Sequence, residues 1–268
     1  MAYPDVIYGP DSEVYNLYGA VTPAPGDNGP GGQIARRGKH IMGQQLVLED
    51  GRKFRFTLNG GTLLAVANVI QSAAALTTSE DLAPDADQGV GDRIVTFTHG
   101  SATTVKNLFA EGYAVMSVTP GGGDTYKIAS HLALVSAVAG DIVNFAPGHA
   151  LRRAITTAAT KMDLSRHAYA GVIQLPSAVI TGIPVGVSVS AIAANGFGWL
   201  QTRGAVGVLG EGSLLAGTRA SVPAPSVAGA VGVETPTSAD SDVEATIGNI
   251  LVVAANGAFS TVYLTIDG

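Results

Sequence analysis

Gln45-Leu46-Val47-Leu48-Glu49-Asp50-Gly51-Arg52-Lys53-Phe54-Arg55-Phe56-Thr57-Leu58 carries the plainest structural signal in this chain. The Asp50-Gly51 step supplies the positive φ of a tight turn, and β-forming residues flank it, so the segment reads as a β-hairpin. Side chains alternate across a strand, which puts Phe54, Phe56 and Leu58 on one face and Lys53, Arg55 and Thr57 on the other. Asn59-Gly60-Gly61 ends the hairpin.

Downstream the same grammar recurs. Arg93–Thr98, Tyr113–Val118, Thr125–Ile128 and Asp141–Phe145 read as short strands, with Thr119–Asp124 as a turn. Val185–Ser190, Gly198–Thr202, Ile250–Val253 and Thr261–Ile266 follow, with Asn256-Gly257 as a hairpin turn between the last two. Short strands separated by Gly and Pro turns indicate a sandwich or a barrel. No fixed-length repeat is present, which argues against a solenoid or propeller. Thr62–Ala75 is the exception. Its Ala, Leu and Gln content favours one short helix, or a helical turn followed by a strand, while Val66, Val69 and Ile70 permit strand. The expected fold class is mainly β, a sandwich or barrel with at most one or two short helices.

Upstream, residues 1–32 hold Tyr3, Tyr8, Tyr15 and Tyr18 among Pro4, Pro10, Pro23, Pro25 and Pro30, with neither a helical nor a strand period. Prolines withhold backbone donors and bias their neighbours to extended geometry, so this segment reads as an extended arm. Tyrosines on an arm suit docking into another subunit, because each ring brings large area and a polar tip; packing back on the arm's own domain is the other option. The expected organisation is an arm at 1–32, a β-rich domain at 33–168 containing the hairpin, and a C-terminal β-sandwich or barrel at 169–268.

Composition bounds the function. Of 268 residues only 13% are charged, about half the usual ~25% of soluble proteins. After Arg166 the only basic residues are Arg203 and Arg219. A surface so poor in charge is best tolerated when other subunits cover much of it. The net charge of −6 argues against nucleic-acid binding, which needs clustered cations. No apolar run approaches a membrane span, and Met-Ala-Tyr-Pro-Asp does not open a signal peptide. Without cysteine there is no disulfide, thiolate metal site or cysteine nucleophile.

Each chemical motif falls short. Gly32 to His40 imitates a phosphate loop, with five residues between its glycines instead of four and His40 where Ser or Thr must bind magnesium. Gly204, Gly207, Gly210 and Gly212 are spaced wrongly for a dinucleotide fingerprint and read as turn glycines. His40, His99, His131, His149 and His167 lack metal-ligand spacing. Asp85-Ala86-Asp87-Gln88-Gly89 starts like a calcium loop without completing it, and Asp240, Asp242 and Glu244 read as an acidic solubilising loop. We expect no enzyme activity, no cofactor and no metal.

Four segments are similar to segments of a known family. Gly43 to Phe56 resembles a stretch near the start of capsid-associated structural proteins of tailed bacteriophages, where it follows a Tyr- and Gly-containing arm as here. Glu111-Gly112-Tyr113 through Lys127-Ile128 resembles their middle strand pair. Gly198-Trp199-Leu200-Gln201-Thr202-Arg203-Gly204 resembles their Trp-centred strand, and Val262 to Asp267 their ending. The resemblance runs in order along most of the chain. It implies a head decoration (cement) protein of the virion, on the outer capsid surface, commonly a homotrimer, with the major capsid protein as partner and no catalytic residues. Tyr3, Tyr8, Tyr15 and Tyr18 are then the expected capsid or inter-subunit contacts. A tail or fibre component, and a carbohydrate-binding or receptor-binding β protein, are the alternatives.

Overall fold

The structure, a computed structural model, describes residues 6–16, 40–177, 179–222, 227–233 and 245–267. These fall into two compact units, one made of 6–16, 40–74 and 168–267, the other of 75–167. The first unit begins with β1 (Val6–Tyr8), β2 (Gln45–Val47), β3 (Lys53–Asn59) and β4 (Val69–Gln71). The second holds β5 (Ile94–Phe97), β6 (Tyr113–Val118), β7 (Thr125–His131), β8 (Asp141–Phe145) and β9 (Lys161–Ser165). The first then resumes with β10 (Ala170–Gln174), β11 (Pro184–Ser188), β12 (Phe197–Leu209), β13 (Arg219–Val222), β14 (Gly232–Val233), β15 (Ala245–Val252) and β16 (Phe259–Thr265). Two 3-10 turns, Asp11–Tyr15 and Thr77–Ser79, are the only helical pieces among the described residues. The fold is mainly β, as the strand and turn pattern requires.

The hairpin is where the sequence puts it. β2 and β3 pair antiparallel with Leu46 opposite Phe54, and Gly51 sits at φ +83°. Phe54, Phe56 and Leu58 are buried in one cluster with Phe197 and Trp199. Thr57, on the face expected to be polar, is buried too, and its hydroxyl donates to the Tyr169 carbonyl at 2.9 Å. A buried hydroxyl needs such an acceptor to offset its desolvation.

β3 pairs antiparallel with β12 and parallel with β10, and β10, β4, β11 and β12 pair in turn. These pairings close a five-stranded ring, so of the two expected architectures the first unit adopts a small barrel. Ile70, Val172, Val185 and Leu200, one from each of four ring strands, form an apolar cluster with Leu64 and Ile192. Small barrels are filled by side chains in this way. β12 is long enough to serve two partners. Its first half lies in the ring, and from Arg203 onward it pairs with β16, which leads into a meander through β15, β13 and β14. The changeover falls at a register shift between Gln201 and Arg203, where Gly204 adopts φ +90° and the Gln201 amide donates to the carbonyls of Arg203 and Ala205, both at 3.0 Å. Gly204 and Gly207 therefore lie within a strand, which corrects their reading as turn glycines.

The second unit is an antiparallel sheet in the order β5-β8-β7-β6-β9. Leu82 bridges to Met162 of β9 and Pro84 to Phe97 of β5, so one short segment joins both edges. Val95, Phe97, Met116, Tyr126, Ile128 and Met162 fill its core.

One expectation is settled and two need revising. Of the two readings of Thr62–Ala75 the α-helix is absent and the strand is present: a turn with Ala67 at φ +59° precedes β4, whose Val69 and Ile70 are fully buried between β10 and β11. Burial of β-branched side chains in a sheet overrides a weak helix propensity. The hairpin, grouped by composition with 33–168, belongs to the first unit, because its pairing partners β10 and β12 lie beyond residue 168. The described part of the arm, residues 6–16, is built into that unit and is not free-standing. β1 pairs parallel with β2, and Val14, 1% exposed, packs in the cluster of Leu46 and Phe54.

Candidate functional site

Residues 6–16 and the hairpin tip form the surface that carries two of the four expected contact residues, Tyr8 and Tyr15. Backbone pairing aligns Val6, Ile7 and Tyr8 with Gln45, Leu46 and Val47. Strand alternation turns Ile7 inward against the Val14 cluster and leaves Tyr8 outward, 82% exposed. The 3-10 turn that follows buries Val14 and leaves Tyr15 54% exposed. Two of the four expected tyrosines thus stand on one fastened surface segment; Tyr3 and Tyr18 lie outside the described residues.

Charge also fastens the segment. The Arg52 guanidinium, just past the Asp50-Gly51 turn, donates to Asp50 at 2.6 Å and to Asp11 at 2.8 Å. Hydrogen bonds from the Arg52 backbone and side chain hold the Asp50 carboxyl below its ordinary pKa. These pairs are largely exposed, and each contributes at most about 1 kcal/mol. Two hollows flank the hairpin tip and share Asp50 and Arg52. The larger, about 620 Å³, is lined by Lys53, Arg203, Gly204 and Tyr263, and the smaller, about 340 Å³, by Gly9, Pro10, Asp11 and Leu48. The larger looks cationic, but Arg52 is committed to its two aspartates, and the Lys53 ammonium donates to the Asp267 carbonyl at 3.3 Å. What this surface offers outward is therefore chiefly aromatic, with Arg52 and Lys53 already paired within the fold.

The other chemistry-bearing residues act within the fold. Ser79 Oγ and His99 Nε2 lie 3.1 Å apart, a nucleophile–base distance, yet both residues are sealed from solvent. His131 is equally buried, with both ring nitrogens engaged by backbone groups. His149 accepts from the Lys127 amide at 3.3 Å, and His40 packs edge-on to Trp199 with centroids 5.1 Å apart. Asp85 accepts from the Thr98 hydroxyl and the Gly140 amide, and Asp87 from Thr157, so these aspartates tie loops. Among the described residues no three His, Asp or Glu side chains converge to hold a metal ion. The expected acidic loop at Asp240, Asp242 and Glu244, and residues 32–39 of the phosphate-loop imitation, lie outside the described residues.

Sequence reasoning did not find the Asp11–Arg52 pair. The two are 41 positions apart and meet only because β1 runs alongside β2. Comparison with protein-family models, with curated proteins and with solved structures finds no match.

Proposed function

We propose that this chain is a non-enzymatic virion structural protein, a head decoration protein that binds the outer surface of an assembled major capsid protein lattice as a homotrimer. The observation that carries the reading is the pair of outward tyrosines on a segment whose other face is locked into the barrel unit. An aromatic side chain offers about 150–250 Å² for burial, at about 25 cal/mol per Å². Tyr8 and Tyr15 retain more than half of theirs. Contacts of that size are modest singly, and repetition on a lattice multiplies them through effective concentration. A partner that binds only the assembled shell stabilises it by mass action. The low charge, the β architecture and the four resembling segments support the same reading.

The test is occupancy. Quantitative mass spectrometry of purified virions gives the ratio of this chain to the major capsid protein, expected near one-to-one. A ratio of a few per cent moves the chain to the tail or fibres, and absence from the particle removes the structural reading. The double variant Tyr8→Ser/Tyr15→Ser tests the surface itself. Occupancy on isolated capsids drops at least about tenfold if the two rings are contact anchors, and unchanged occupancy refutes that role.

A further inference from the structure

His131 closes β7 and is 1% exposed; its Nε2, amide and carbonyl all reach turn 104–112, while its Nδ1 meets the first residue of loop 132–138. Its Nε2 accepts from the Phe109 amide at 3.0 Å, and its Nδ1 faces the Leu132 carbonyl at 2.6 Å. A carbonyl only accepts, so Nδ1 carries the hydrogen and Nε2 is the bare acceptor, which fixes one neutral tautomer. The backbone completes the knot: the His131 amide donates to Asn107 Oδ1 at 3.0 Å, and its carbonyl accepts from the Asn107 amide at 3.2 Å. The ring also packs on Phe109, centroids 5.5 Å apart. Turn 104–112 and loop 132–138 are otherwise joined by the Thr104–Leu134 bridge, and the loop carries Leu132, Val135 and Val138 outward.

We propose that His131 is an acid-operated latch, whose neutral imidazole pins turn 104–112 against loop 132–138 and whose protonation releases both. A proton from solvent takes the Nε2 lone pair, so the Phe109 amide loses its acceptor and faces an N–H of a cation instead. Among the described residues only backbone groups are hydrogen-bonded to the ring, and no carboxylate is. The titratable groups of the surrounding elements are His99, which repels a charged His131; Asp141 on β8, whose carboxylate accepts from the Val135 amide; Lys106 and Glu111 on the turn; and Lys127 on β7. Burial, with a smaller contribution from His99, pushes the His131 pKa down to about 4 against the ordinary 6.5, partly offset by the Leu132 carbonyl. The released form titrates normally, so acid favours it. This latch does not depend on the partner proposed above.

Amide exchange on the intact chain reads the latch at the Phe109 and His131 amides. After correction for intrinsic exchange, the gap between 6.5 and about 4 makes opening roughly twentyfold more frequent at about pH 5 than at about pH 7. Amides of β12 and β16, in the other unit, serve as the internal control. His131→Gln, which keeps an uncharged acceptor, removes the pH dependence. If that variant does not fold, NMR titration of the wild-type ring decides: the Nδ1–H tautomer at neutral pH with a midpoint well below 6.5 is expected. Equal protection at both pH values, acid opening that persists in His131→Gln, or a ring titrating near 6.5 overturns the proposal.

Discussion

Removing the Asp267 carboxylate will destabilise the barrel unit although it lies at the far end of the chain from the hairpin. Arg55 grips it with two parallel bonds, Nε to Oδ2 at 2.7 Å and Nη2 to Oδ1 at 3.0 Å. Thr202 Oγ1 adds a third at 2.8 Å, and Arg55 Nη1 also donates to the Gly43 carbonyl at 2.8 Å. The carboxylate therefore ties β3, β12 and the segment after β16. Breaking a fully buried pair costs about 3–5 kcal/mol and an exposed one at most about 1. Asp267 and Arg55 side chains are 18% and 28% exposed, between those limits. We expect Asp267→Ala to cost about 2 kcal/mol, with Asp267→Asn somewhat less, since it keeps one acceptor. Trp199, the only tryptophan, lies in the same unit's core, so denaturant unfolding followed by its fluorescence reports this unit. Burial raises the Asp267 pKa, but the hydrogen bonds from Arg55 and Thr202 and the charge of Arg55 outweigh it, leaving the pKa below 3.8. A depressed carboxylate pKa means the contribution is present above the unfolded value and disappears as pH falls through the folded one. The gap between wild type and Asp267→Ala must then narrow in strong acid. A loss below about 0.5 kcal/mol at neutral pH, the noise of ordinary surface changes, refutes the assignment, and so does a gap indifferent to pH.

Two further substitutions test the frame of the same unit. Gly204→Ala places a Cβ 2.8 Å from Arg52 Cγ at a φ of +90°, whereas Gly207→Ala, three residues on in the same strand, meets nothing within 4 Å. The first is expected to cost more than about 1 kcal/mol and the second to stay within about 0.5, read from denaturation midpoints; equal costs would contradict the changeover assigned to Gly204. Val14→Ala opens a void beside Leu46 and Phe54 and should cost about 1–3 kcal/mol, while Tyr8→Ser on the same segment leaves stability unchanged. If both variants match wild type by thermal melting, residues 6–16 are not part of the unit's core.

Much of the secondary structure was legible because strand formation depends on neighbours. The alternation in Lys53–Leu58 and Tyr113–Val118, the short strand Asp141–Phe145 and the Asp50-Gly51 turn each state their geometry within a few residues, and all appear where expected. Thr62–Ala75 stayed open between helix and strand because its local preferences were balanced, and the burial of Val69 and Ile70 between two later strands settled the matter. The tyrosines of the arm were legible as candidate contacts from their setting among prolines. That Tyr8 faces out while Ile7 and Val14 face in follows from β1 lying beside β2, a pairing no local pattern announces.

Composition and periodicity were enough to establish a mainly β chain, poor in charge, with a hairpin at 45–58 and aromatic side chains near its start. They had no means of showing that 75–167 forms a unit of its own between two parts of a barrel, or that β12 leaves the ring for the meander at Gly204. They were equally silent on Asp267 meeting Arg55 across 212 positions and on His131 holding two loops with both ring nitrogens. The division has one physical cause. Alternation and turn preference are set by short-range sterics along the backbone, which a sequence displays directly. Strand partners, ion pairs and buried tautomers depend on which distant segments win the competition to bury the same apolar faces, and that is resolved only when the whole chain packs.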